Sequence, residues 1–60
     1  MALDKYDMME LEEIASYVGL EKADGESWPD FAERVRRAYS EPILQAQYRT
    51  TIRRLQRLMD

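Results

Sequence analysis

"SWPDFAERVRRAYSEP", residues 27–42, contains the start of one helix, its end, and the start of the next. Ser27 is followed by Pro29 and Asp30, which is typical of a helix N-terminus. A serine hydroxyl can accept a hydrogen bond from a first-turn amide, and proline is tolerated in that turn. Apolar residues then recur at helical spacing, so they share one face: Trp28, Phe31, Ala32, Val35, Ala38 and Tyr39. The stretch predicts an amphipathic helix at about 28–39.

Ser40, Glu41 and Pro42 mark the end of this helix and indicate the cap of another. Proline suits the first turn of a helix and cannot continue the preceding one, so the chain must change direction with almost no loop. A stripe of mostly apolar residues then runs nearly to the C-terminus: Leu44, Tyr48, Thr51, Ile52, Leu55, Leu58 and Met59. The spacing predicts one long helix at about 41–58.

A further helix is predicted upstream, at about 5–18. Asp4 and Asp7 have the spacing of an acidic capping box, and Gly19 is the residue type that most often ends a helix. Between them, apolar residues recur at helical spacing: Met8, Leu11, Ile14, Ala15 and Val18. The polar segment "EKADGE" then predicts a turn and lacks the ligand spacing of a calcium-binding loop.

Three amphipathic helices, none able to bury its apolar face alone, predict an all-α, compact three-helix bundle. The core is expected to form around Trp28, Phe31 and Tyr48. A chain of 60 residues is near the lower size limit for unaided folding, so a second domain does not fit. We therefore expect a single domain over residues 1–60.

The composition argues against several functions. The sequence has no cysteine and no histidine, which removes thiolate chemistry, the usual zinc ligands and the commonest general base near neutral pH. We therefore expect no enzymatic activity, no metal and no cofactor. No apolar run approaches the about 18 residues of a membrane span, and the N-terminus does not resemble a secretory signal. A cytoplasmic protein without membrane contact is the expectation.

Charge is divided unevenly along the chain. Residues 1–33 have a balance of −8 and residues 34–60 a balance of +5, which together give the net charge of −3. Arg49, Arg53 and Arg57 follow one another at four-residue spacing, on the side of the third helix that faces away from the predicted core. We call these three residues the arginine ridge.

Arg54 has a different predicted role. It lies at the edge of the apolar stripe, where Asp7 or Glu10 of the first helix is expected to pair with it. The arginine ridge itself has two interpretations. Repulsion at this spacing costs only about 0.2 to 0.5 kcal/mol per pair, so the ridge is tolerable as a solvated face. It can equally be a docking surface, because the guanidinium fork binds carboxylate and phosphate groups.

The favoured hypothesis is a small non-enzymatic protein-interaction module: an adaptor, inhibitor or regulatory subunit of the kind carried by phages and bacteria. Its docking faces are the acidic first helix and the arginine-rich third helix. The candidate partner contacts are Arg49, Arg53, Arg57, Gln45, Thr50, Tyr6, Tyr17 and Glu13. The two tyrosines lie away from the apolar stripe of the first helix, where interface contact and edge packing are both consistent with the pattern.

The alternative hypothesis is a nucleic-acid-binding domain. A short turn before a long arginine-bearing helix has the outline of a helix-turn-helix or homeodomain-like protein, with Gln45, Arg49, Thr50 and Arg53 facing the groove. "LEEIASYVGL" resembles the scaffold helix of helix-turn-helix proteins, although "EKADGES" separates it from the next helix. The isoelectric point near 4.9 opposes this hypothesis, since acidic groups repel phosphates.

Self-association is a variant of the favoured hypothesis. The third helix outruns the second, so Leu55, Leu58 and Met59 are expected to lack cover in a monomer. Pairing of two copies there would bury these side chains and form a homodimer through the end of the helix.

Overall fold

The computed structural model describes residues 3–59, which form four α-helices. These are α1 (Lys5–Ser16), α2 (Trp28–Ala38), α3 (Pro42–Gln47) and α4 (Arg49–Met59). No strand occurs within this range. Helices α1, α2 and α4 pack against one another in pairs, and α3 packs on α4. The predicted all-α helical bundle is confirmed, with its third helix divided in two.

Local sequence signals set both ends of α1. The Asp7 amide donates to the Asp4 carboxylate at 2.8 Å, and the Asp4 amide donates to the Asp7 carboxylate at 3.4 Å, which completes the predicted capping box. Gly19 has a φ of 72°, and the Leu20 amide donates to the Ala15 carbonyl at 3.0 Å. This is a Schellman ending, which favours glycine because a Cβ atom is strained at positive φ.

The regular part of α1 ends at residue 16 rather than 18. The cause is a tightening of the last turn. The Val18 amide donates to the Ala15 carbonyl, three residues back, at 3.1 Å. The α-helical bond from the Val18 amide to the Ile14 carbonyl is therefore absent. The Ile14 carbonyl instead accepts a hydrogen bond from the Tyr39 hydroxyl.

The start of α2 and the turn before it also match the sequence signals. The Ser27 hydroxyl accepts from the Asp30 amide at 3.2 Å. In the preceding connection, the Glu26 amide donates to the Ala23 carbonyl at 3.1 Å, and Gly25 has a φ of 80°. The "EKADGE" segment is therefore a glycine-dependent turn, as its sequence predicts.

The prediction of one continuous helix at 41–58 is wrong at a single residue. Tyr48 has φ −118° and ψ 37°, a conformation outside the helical region, so α3 ends before it and α4 begins after it. The Tyr48 ring stacks on Tyr17, with centroids 6.4 Å apart, and meets the edge of Tyr39 at 5.6 Å. Neither proline nor glycine marks the break. Packing between helices accounts for it.

Ser40 does not cap α3, contrary to the prediction. Its hydroxyl donates to the Arg37 carbonyl at 2.6 Å, so it belongs to the end of α2. Glu41 is the N-cap residue of α3, and it makes no side-chain cap bond. Pro42 occupies the first turn as predicted, which keeps the connection between α2 and α3 short.

The core centre differs from the predicted one. Phe31 and Tyr39 are the largest fully buried side chains, whereas Trp28 and Tyr48 are only partly buried and pack against the core from outside. Trp28 is the first residue of α2, and its ring makes a T-shaped contact with the Phe31 ring, with the two centroids 6.1 Å apart. The full set of buried residues is Leu11, Ile14, Ala15, Phe31, Ala32, Val35, Tyr39, Ile52, Leu55 and Leu58.

The bundle measures 30 × 20 × 15 Å along its principal axes, with a Cα radius of gyration of 10.8 Å. About 10 Å is expected for a compact chain of this length. Within residues 3–59, no helix has both the length and the apolar content needed to cross a bilayer.

Candidate functional site

The arginines of this chain fall into two groups. Four form ion pairs with acids of the chain itself: Arg34, Arg36, Arg37 and Arg54. The three residues of the arginine ridge form no ion pair with any residue of the 3–59 range. Arg34 and Arg54 connect separate segments of the chain, whereas Arg36 and Arg37 are exposed and pair with Glu33 within α2.

Arg54 is the tie between α4 and α1. Its Nε lies 3.0 Å from a Glu10 carboxylate oxygen, and its Nη2 lies 3.1 Å from one of Glu13. Pairing with Glu10 is confirmed, whereas the Asp7 carboxylate accepts a hydrogen bond from the Asp4 amide in the α1 cap. These bonds raise the pKa of the Arg54 guanidinium above its usual value.

Glu13, a predicted partner contact, serves this internal tie. Hydrogen bonds from Arg54 and then from Tyr17 hold the pKa of its carboxyl group below the usual value. The side chain remains 55% exposed, and its carboxylate shares the one Arg54 guanidinium with Glu10. The sequence could not show this, because 41 residues separate Glu13 from Arg54.

Arg34 forms a second tie between separate segments of the chain. Two nitrogens of its guanidinium donate to the Glu26 carboxylate, at 3.0 and 2.9 Å, and Nη2 also donates to the Glu21 carbonyl. The Ala23 amide donates to the same carboxylate at 3.0 Å. Arg34 first, and then this amide, lower the pKa of Glu26 to about 2. Arg34 therefore holds the connection between α1 and α2 against the body of α2.

The arginine ridge lies on the outer side of α4. Arg49, Arg53 and Arg57 are all exposed, while Ile52, Leu55 and Leu58 of the same helix are buried. The predicted orientation of the ridge is confirmed. Its use as a partner contact stays a prediction.

Two polar residues predicted to accompany the ridge differ in availability. Thr50 is exposed and lies in α4 beside the ridge. The Gln45 side-chain amide instead donates to the Tyr39 carbonyl at 2.7 Å, where it satisfies a group at the end of α2. Gln45 also lies in α3, on the other side of the break at Tyr48. The continuous face expected of a recognition helix, from Gln45 to Arg53, is therefore interrupted.

The two tyrosines predicted as partner contacts, Tyr6 and Tyr17, differ in how much of each side chain is exposed. Tyr17 is 44% exposed, and stacking on Tyr48 uses part of its ring in edge packing. Tyr6 is 79% exposed and its neighbour Met9 is 59% exposed. These two residues, together with Glu10, Glu13 and Arg54, line a shallow hollow between α1 and α4. We call it the α1–α4 hollow.

The predicted homodimer depends on apolar side chains that lack cover at the end of the third helix, and this premise is wrong. Leu55 is 1% exposed and Leu58 is 8% exposed, so the monomer already covers the end of α4. Met59 is partly buried and lines a small apolar hollow with Leu3 and Pro29. The burial occurs because α1 and α2 both pack along α4.

No group of three or more acidic side chains that could hold a metal ion occurs within the described part of the chain. Ser16, which lines a hollow near Phe31, donates its hydroxyl to the Glu13 carbonyl at 2.6 Å. The absence of enzymatic activity stays a prediction.

The fold and surface together define a small all-α bundle with a one-sided cationic helix. No protein-family model, curated protein or solved structure gives a significant match to this chain. The function must therefore be argued from the geometry and charge of this surface.

Proposed function

We propose that this protein is a non-enzymatic protein-interaction module whose arginine ridge docks an acidic surface of a partner protein. The observation that carries the proposal is the uneven use of arginine. The other four arginines pair internally, although the sequence has 12 acids for only 9 cations. A shortage of acids therefore does not explain why three neighbouring arginines on one helix face solvent.

The spacing of the ridge suits an ordered array of carboxylates. Four residues along an α-helix correspond to a rise of about 6 Å, so the ridge from Arg49 to Arg57 spans about 12 Å. Each guanidinium presents a planar fork that can hold a carboxylate with two parallel hydrogen bonds. Complementary charge of this kind accelerates association and fixes the orientation of the partner.

Two observations favour a protein partner over a nucleic acid. The break at Tyr48 and the bond from Gln45 to the Tyr39 carbonyl interrupt the face that would enter a groove. The net charge of −3 adds repulsion between the chain and a phosphate backbone. An acidic protein surface, with fewer and more localised charges, meets the ridge without comparable opposition.

The test compares two triple variants with equal changes in charge. Arg49→Gln/Arg53→Gln/Arg57→Gln removes the ridge. The control, Lys5→Gln/Arg36→Gln/Arg37→Gln, removes three exposed cations outside it. Binding of fluorescent poly-L-glutamate is measured by anisotropy at low salt, with circular dichroism to verify folding.

We expect the ridge variant to bind between about threefold and about 150-fold more weakly, since three exposed ion pairs at about 0.2 to 1 kcal/mol each sum to about 0.6 to 3 kcal/mol. The control should stay within about twofold of the unmodified protein. Equal weakening in both variants, or no binding by the unmodified protein, would refute the proposal. Tighter binding to a 20-base-pair DNA duplex than to poly-L-glutamate at the same salt concentration would favour the nucleic-acid alternative instead.

A further inference from the structure

The α1–α4 hollow has an apolar component that the bundle itself does not use. Tyr6 and Met9 lie three residues apart on α1, and they are 79% and 59% exposed. They are not among the side chains that pack against the core. Large side chains of this kind, exposed next to a charged surface, are typical of interface anchors.

The hollow adjoins the arginine ridge on α4. Arg54 lines the hollow, and residues three or four positions apart are neighbours on a helix surface. Thr50 and Arg57 therefore flank Arg54, whereas Arg53 and Arg49 lie about 100° and about 140° around the helix axis from it. A partner seated in the hollow would meet Arg57 first and would reach the rest of the ridge around the outer side of α4.

The three charged groups that line the hollow bond to one another, although two carboxylates and one guanidinium leave a net charge of −1 there. Arg54 contacts both Glu10 and Glu13, at 3.0 and 3.1 Å, so it is not available as an anion-binding group. The hollow thus offers apolar contact, whereas the ridge beside it offers positive charge. The combined surface has an apolar strip on α1 and a cationic strip on α4.

We infer that the occupant of this combined surface is an acidic amphipathic helix of a partner protein. Its apolar side chains would pack on Tyr6 and Met9, and its carboxylates would meet the ridge. A helix carrying glutamate at every fourth position repeats its charge at about 6 Å, as the ridge does, so the two arrays can align. The inference rests on the proposed function and adds the form of the partner to it.

A second copy of this chain is a poorer match. Its acidic helix is α1, but Glu10 and Glu13 of that helix are engaged by Arg54, and Asp4 and Asp7 form the α1 cap. Few carboxylates remain on α1 to meet the ridge of another copy. The observations therefore favour a different protein as the source of the acidic helix.

The test uses two synthetic helical peptides of about 18 residues that carry glutamate at every fourth position. One peptide has leucine on the adjacent face, and the other has glutamine at those positions. Binding of each is measured by fluorescence anisotropy to the unmodified protein, to Tyr6→Ser/Met9→Ser, and to the ridge triple variant. Ile43→Ser is the matched control, since Ile43 is 69% exposed and lies in α3, outside the hollow.

We expect the leucine peptide to bind the unmodified protein about tenfold more tightly than the glutamine peptide, as partial burial of two large apolar side chains would give. Tyr6→Ser/Met9→Ser should remove this preference and leave binding of the glutamine peptide unchanged. The ridge variant should weaken both peptides, and Ile43→Ser should weaken neither.

The outcomes separate the two proposals. Equal affinity for both peptides would overturn this inference and leave the proposed function standing. If neither peptide binds, the proposed function fails, and the inference fails with it. Sedimentation that showed concentration-dependent dimers, lost in Tyr6→Ser/Met9→Ser, would assign the hollow to a second copy and overturn the acidic-helix assignment. Circular dichroism identifies any variant that does not fold.

Discussion

The Tyr39 hydroxyl joins the end of α2 to the end of α1. It donates to the Ile14 carbonyl at 2.6 Å, and the tyrosine is only 1% exposed. The Ile14 carbonyl needs this donor because the Val18 amide is bonded to Ala15 instead. The substitution Tyr39→Phe removes the hydroxyl alone and keeps the ring that fills the core.

The expected cost follows from the unsatisfied carbonyl. Leaving one buried polar group without its partner costs about 1 to 3 kcal/mol, a large share of the about 3 to 9 kcal/mol that stabilises a domain of this size. At about 4 to 8 °C per kcal/mol, the melting temperature should fall by about 4 to 24 °C. Urea and thermal unfolding followed by far-ultraviolet circular dichroism measure both quantities.

Tyr48→Phe is the matched control, because the Tyr48 hydroxyl has no hydrogen-bond partner within residues 3–59. It should change the free energy of unfolding by less than about 0.5 kcal/mol. If Tyr39→Phe is as mild as this control, the hydroxyl does not contribute as described, and the reasoning is refuted.

The burial of Tyr39 also leads to a prediction about stability at alkaline pH. Burial raises the pKa of the Tyr39 phenol, so the unfolded chain loses this proton first as the pH rises. The stabilisation that the protonated Tyr39 phenol contributes is therefore present below its pKa of about 10 in the unfolded chain, and it declines above that pH. The stability difference between the unmodified protein and Tyr39→Phe should narrow between pH 9 and pH 11. An unchanged difference would contradict the assigned burial.

Three further predictions concern the ends and ties of the helices. Gly19→Ala should destabilise the protein by about 1 kcal/mol in urea unfolding. The new Cβ would meet nothing within 4 Å, so the cost would come from the positive φ alone. An unchanged unfolding midpoint would therefore argue against the left-handed conformation at Gly19. The Glu26 carboxyl should titrate near pH 2 by NMR, and the stability of the protein should decline as the pH falls from the usual carboxyl pKa toward that value. Arg34→Gln should raise the pKa of Glu26, and an unchanged pKa would contradict the bond between Arg34 and Glu26. Arg54→Gln should likewise raise the pKa of Glu13, and a constant value would show that Arg54 is not its main partner.

Local signals in the sequence accounted for the starts of α1 and α2 and for the end of α1. The Asp4 and Ser27 caps and the Gly19 ending are decided by bonds within a few residues, so their spacing predicts them directly. The outward position of the arginine ridge follows in the same way from the helical period of Ile52, Leu55 and Leu58.

Contacts between distant residues could not be predicted in this way. The break at Tyr48 depends on rings of α1 and α2, and the Tyr39 hydroxyl bonds a carbonyl 25 residues away. The bonds from Arg34 to Glu26 could not be predicted from a helical wheel, because a wheel does not include the connection that folds back onto α2. The bond between Glu13 and Arg54 could not be predicted for the same reason, since this cation lies on another helix, and the use of Glu13 as a partner contact stays a prediction.

Arginine side-chain resonances of the ridge give the most direct test of the docking surface. In a titration of isotope-labelled protein with the leucine-bearing glutamate peptide, the Nε–Hε signals of Arg49, Arg53 and Arg57 should shift together, and those of Arg34 and Arg36 should stay in place. This result is predicted because the ridge is exposed while the other two arginines are held by Glu26 and Glu33. Shifts confined to Arg34 and Arg36, or spread equally over all five, would contradict a docking role for the ridge.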